Sequence, residues 1–72
     1  MIIYDQNKNK HEIYEVSMNM NKIYGKNKPS DEPILLGEYT DRMEACEVLA
    51  LIYVKNINDT FEMPDRGSVQ IE

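Results

Sequence analysis

Ile34-Leu-Leu-Gly-Glu-Tyr-Thr-Asp-Arg-Met-Glu-Ala-Cys-Glu-Val-Leu-Ala-Leu-Ile-Tyr-Val-Lys55 decides the fold of this chain. It reads as a short strand containing a glycine, then a helix cap, then a helix. Asp41 takes the N-cap position and Glu44 stands at N3. This is an acidic variant of the capping box, in which each side chain satisfies a backbone donor of the first turn. Both carboxylates also lie at the positive end of the helix dipole. Ala45, Val48, Leu49 and Ile52 recur at i, i+3, i+4 and i+7 and mark the face turned to a core. Glu44 and Glu47 are expected on the other side.

From Val48 to Val54 the helix is apolar without a break. A helix covering one sheet needs only one apolar stripe. Leu51, Tyr53 and Val54 therefore exceed a single interface. They are expected under the chain's own C-terminal tail or against a second copy, and they form the candidate oligomer interface. Asn56, Asn58 and Asp59 end the helix without a glycine.

Outward from this stretch, His11 to Tyr24 carries the best strand pattern. Tyr14, Val16, Met18 and Met20 alternate with Glu15, Ser17, Asn19 and Asn21, so one face points in and the other out. The phase shifts at Ile23 and Tyr24, which fits a bulge or turn near Asn21-Lys22. Met1 to Tyr4 is a short β-prone start, and residues 5–10 form a polar turn. Gly25 to Pro33 is a loop by composition and suits the tip of a hairpin. Gly37, inside the next strand, marks a bulge or a close backbone approach. Phe61 to Pro64 fits a short edge strand. Val69 and Ile71 alternate in a way that could add a strand to a neighbour. The expected class is α+β: a small antiparallel sheet in the order β-β-β-α-β with one helix on one face. Residues 1–64 form the domain and 65–72 a flexible tail.

Seventy-two residues make one domain with a small core of marginal stability. A single cysteine forbids an internal disulfide, and no Cys/His cluster offers a structural zinc site. Oligomerisation is the remaining common aid. The chain shows no signal peptide and no apolar run long enough to span a bilayer, so a cytoplasmic location without membrane contact is expected. Net charge is −5 and unevenly spread. Five lysines against Asp5, Glu12 and Glu15 leave residues 1–28 at +2, whereas ten acids against Arg42, Lys55 and Arg66 leave residues 29–72 at −7. The acidic balance disfavours direct nucleic-acid binding and suits a basic protein surface. Ordinary solubility charge is the simpler explanation and the favoured one.

Chemistry-bearing residues are few. A Cys46–His11 dyad would need a reactive thiol beside a strand start, whereas Cys46 fits a gap between helix and sheet as a small apolar residue. Asp5, Asn7 and Asn9 alternate as in a calcium loop, but Lys10 replaces the required glycine and Val16 the bidentate glutamate. Neither a glycine-rich phosphate loop nor a nucleophilic triad can be nominated. The expectation is a protein that is not an enzyme and carries no cofactor or metal. Tyrosines are the better handle, having an apolar body and a polar tip. Tyr39 and Arg42 together could stack a base and pair a phosphate; with Tyr4 and Tyr24 they are the candidate ligand-binding residues. Asp41 and Glu44 would repel an anion there, and a tyrosine at a strand end also suits a core rim. Met18, Met20, Met43 and Met63 suit either core packing or an adaptable surface.

Three motifs carry a family resemblance: Leu36-Gly-Glu-Tyr39, Glu44-Ala-Cys-Glu-Val-Leu49 and Phe61-Glu-Met-Pro64. They resemble small uncharacterised phage and prophage proteins of low-GC Gram-positive bacteria. Those combine an initial hairpin, a Leu-Gly-x-Tyr strand, a capped helix and a final aromatic-x-Met-Pro. Glu44 stands where that family has a helix arginine, so an anion-binding role for the arginine does not carry over. The resemblance implies a stoichiometric anti-defence protein in the host bacterial cytoplasm. One form would sequester a cyclic-nucleotide immune signal at the interface of a homodimer or larger homo-oligomer. Another would be an acidic inhibitor docked on a basic host defence protein such as a nuclease, in the manner of an anti-CRISPR. A structural or regulatory phage accessory protein is the third.

Overall fold

The structure, a computed structural model, describes residues 1–55 and 59–69. Its strands are β1 (Ile2–Tyr4), β2 (Lys10–Glu12), β3 (Glu15–Asn19), β4 (Lys22–Lys26), β5 (Ile34–Glu38) and β6 (Thr60–Glu62), with helix α1 (Arg42–Lys55) before the last. The class is α+β, with a single helix among the described residues. The strands divide into two three-stranded sheets, ordered β2-β1-β6 and β3-β4-β5. In the first, β1 runs antiparallel to β2 and parallel to the edge strand β6. The second is antiparallel throughout.

The alternating stretch from His11 to Tyr24 thus belongs to two sheets. Ile13 N–H donates to the Met1 carbonyl at 2.7 Å, whereas Tyr14 N–H donates to the Lys26 carbonyl at 2.6 Å. Between these two residues the chain leaves one sheet and enters the other. A second break follows at Met20, whose φ of 57° is left-handed and closes the turn into β4. Between β4 and β5 the register slips between Ile23 and Tyr24, so Leu36 bulges out opposite them.

One core joins both sheets to the helix: Ile3, Ile13, Ile23, Leu36, Tyr39, Ala45, Val48, Ile52, Phe61 and Met63. Gly25 lies buried where a Cβ would stand 2.8 Å from Ile13 Cδ1 and 2.9 Å from Leu36 Cδ1. Gly37 leaves room for a ring, since a Cβ there would meet the Tyr39 hydroxyl at 2.9 Å. The expected close approach is real at this glycine.

Helix α1 begins as its cap residues dictate. Glu44 N–H donates to Asp41 Oδ1 at 2.8 Å. Ala45, Val48 and Ile52 are buried and Leu49 is half-buried, as their spacing requires. The helix lies over β3 and β4.

Four side chains depart from expectation. Glu44 is not on the solvent face but only 2% exposed, because residues 65–69 fold back over the helix start and donate to its carboxylate. Cys46 does not fill a helix–sheet gap; it falls outside the 45-48-52 stripe and is exposed. Tyr14 and Met20 do not point into a core, because each sits at a break in the strand and is left exposed by the described residues. Asn56 and Asn58, expected to end the helix, and Ile71, expected to alternate with Val69, lie outside the described residues.

Candidate binding surface

Tyr14 and Tyr53 reach the same place from different elements. Ile13 is buried at the corner between the sheets, and the chain bends at Tyr14 as it passes from one sheet to the other. Tyr14 is therefore thrust outward. On α1, Ile52 faces the core and Tyr53 is rotated about 100° from it by the helical repeat. Both rings border a cleft of about 150 Å³ lined by Met1, Ile13, Tyr14, Glu15, Val16 and Tyr53. Tyr14 is 65% exposed, Tyr53 64% and Val54 76%. Leu51, the third surplus residue, packs half-buried against the core.

The four candidate ligand residues are not brought together. Tyr39 is fully buried, and its hydroxyl donates to the Pro64 carbonyl at 2.9 Å. Burial, then the negative charges of Glu44 and Asp65, pushes its phenol well above the ordinary range. It offers no ring face for stacking. Arg42 is exposed in the first helical turn. Tyr4 and Tyr24 are half-buried on different sheets. None of the four lines the Tyr14–Tyr53 cleft.

The two groups considered for nucleophilic chemistry are apart in role. His11 Nε2 lies 2.8 Å from Asp5 Oδ2. Asp5 Oδ1 accepts from the N–H groups of Asn7 and Asn9 at 2.8 and 3.0 Å. The residues that resembled a calcium loop thus form a hairpin turn wound around one carboxylate. Burial opposes ionisation of Asp5, but the His11 bond and the two N–H donors outweigh it and hold its pKa below the usual value. Among the described residues no three His, Cys, Asp or Glu side chains are grouped to hold a metal, and no helix is long and apolar enough to cross a membrane.

Tyr53 and Val54 were marked in the sequence by an apolar run longer than one interface needs. Tyr14 carried no such mark, since it continues the alternation of β3 that otherwise points toward the helix.

No protein-family model, curated protein or solved structure matches the chain.

Proposed function

We propose that this is a non-catalytic binding protein that grips a partner protein through the Tyr14–Tyr53 surface. The carrying observation is the pair of exposed tyrosines flanking a cleft, continued by Val54. Tyrosine is among the residues that dominate binding energy at protein interfaces. A cleft of about 150 Å³ admits one side chain of a partner. Ligand pockets for whole small molecules run about 300–1,000 Å³. A phosphate-bearing signal is the weaker occupant, because the lining holds Glu15 and neither lysine nor arginine. Sequestration of a nucleotide would need the surfaces of two chains joined.

The resemblance to small phage proteins supports a host defence protein as the target and inhibition as the outcome. The exposure of Asp31, Glu32 and Glu47 supports a basic target surface. The test pairs wild type with a Tyr14→Ser/Tyr53→Ser variant against purified host defence nucleases and, separately, a cyclic-nucleotide panel. Native mass spectrometry and calorimetry read the result. A stoichiometric protein complex lost in the variant is expected. Saturable nucleotide heat without any protein complex, or a complex indifferent to both tyrosines, refutes the reading.

A further inference from the structure

A sheet edge offers unpaired N–H and C=O groups, and folded proteins guard such edges by shortness, charge, cover or proline. Three edges here are guarded. β2 has three residues, two of them charged, Lys10 and Glu12. β6 also has only three, the shortness that guards an edge. β5 is plugged by Gln6: its N–H donates to the Leu36 carbonyl, its Oε1 accepts from Glu38 N–H at 2.8 Å, and its Nε2 donates to the Glu38 carbonyl at 3.0 Å. β3 differs. It has five residues, Glu15-Val-Ser-Met-Asn19, with one charge and no proline, and among the described residues no strand pairs with its outer side.

The backbone direction at this edge follows from the register. Tyr39 N–H donates to the Asn21 carbonyl, and Tyr14 N–H to that of Lys26. Alternation along β4 then turns Asn21, Ile23 and Gly25 toward β5, and Lys22, Tyr24 and Lys26 toward β3. Their partners Asn19, Ser17 and Glu15 bond inward. Val16 and Met18 therefore aim their N–H and C=O groups outward.

We infer that a second copy of this chain pairs antiparallel along β3, about a twofold axis through Ser17. In that register Val16 exchanges both backbone bonds with Met18 of the partner subunit, using the two outward residues and no others. Glu15 falls opposite Asn19 of the partner subunit and Ser17 opposite itself, so no like charges meet. Just past each end of the ladder, Tyr14 comes near the turn residue Met20 of the partner subunit, where an aromatic–thioether contact is favourable. These two residues are 65% and 68% exposed in the single chain. Any shift shortens the ladder, and a register centred on Glu15 sets carboxylate against carboxylate. The helix agrees, for it lies over β3 and β4 with Tyr53 beside Val16. The shared six-stranded sheet carries one cleft at each end of the ladder, each gaining Met20 of the other chain as a wall. That last consequence rests on the proposed partner-binding role of the cleft; the pairing itself does not.

Cross-linking and sedimentation test the pairing without any target, so failure here leaves the tyrosine test above intact. At a non-hydrogen-bonded antiparallel pair the Cα atoms are about 4.5 Å apart, within disulfide reach. In a Cys46→Ser background, Ser17→Cys treated with diamide should give a covalent dimer. Glu15→Cys and Asn19→Cys should each stay single alone and cross-link when mixed. Wild type should sediment at twice the 8.4 kDa chain mass. Ser17→Lys, on an exposed position, should sediment as one chain with an unchanged circular dichroism spectrum. A wild type that stays a single chain at millimolar concentration overturns the inference. So does self-cross-linking of Glu15→Cys, or a dimer indifferent to Ser17→Lys.

Discussion

Glu44 joins two segments that sequence distance keeps apart. Its Oε1 accepts from Thr40 N–H at 2.8 Å, Thr40 Oγ1 at 2.9 Å and Gly67 N–H at 3.1 Å, and its Oε2 from Val69 N–H at 3.3 Å. The Thr40 backbone donor does most to hold this carboxyl below its usual pKa; burial works the other way and loses. Glu44→Gln keeps the shape but turns an amide group toward donors, so it should lower the urea midpoint well beyond Glu47→Gln on the exposed face. Tyr39→Phe should cost about 0.5–1.5 kcal/mol, the net worth of one hydrogen bond. The low end is expected, because Gln6 Nε2 also donates to the Pro64 carbonyl at 3.2 Å and leaves it partnered. Chemical denaturation of both variants checks these values.

Among elements, the helix was the most legible. Asp41 and Glu44 announced its start, and 45-48-49-52 its buried face, because both signals are local. Asp41→Ala should remove about 1 kcal/mol of stability, read by thermal melts. The strands were less legible for an equally physical reason. The phase of the alternation steps by one at the adjacent apolar pair Ile13-Tyr14, but such a step does not say that the hydrogen-bond partners change from Met1 to Lys26. The turn at Met20 adopts a positive φ without the glycine or asparagine that normally signals one. Of the candidate site, Tyr53 was legible as apolar excess. Tyr39 was not legible as buried, since its place depends on Gly37 vacating space and on Pro64 returning from 25 residues away. The burial of Glu44 was hidden likewise, by donors 23 and 25 positions on.

For the molecule as a whole, the two lowered carboxylates set the acid limit. Asp5 and Glu44 bind protons less readily folded than unfolded. Their contribution is present above the unfolded values of 3.8 and 4.5 and is lost as pH falls through the folded ones. Melting temperature should hold from neutral pH to about 5 and then drop; an Asp5→Asn/Glu44→Gln double variant, less stable at neutrality, should show a flatter acid limb. At the other extreme Tyr39 releases its proton less readily when folded. Its contribution is intact below the unfolded value of 10.0 and fades as pH climbs above it.

The first and last strands lie side by side, with Ile2 opposite Thr60 and Ile3 opposite Phe61. During translation the opening strand must therefore wait until Thr60 to Glu62 have been made before its parallel neighbour exists. That sheet therefore closes through a contact between residues far apart in sequence, whereas the β3–β4 hairpin closes through a local one.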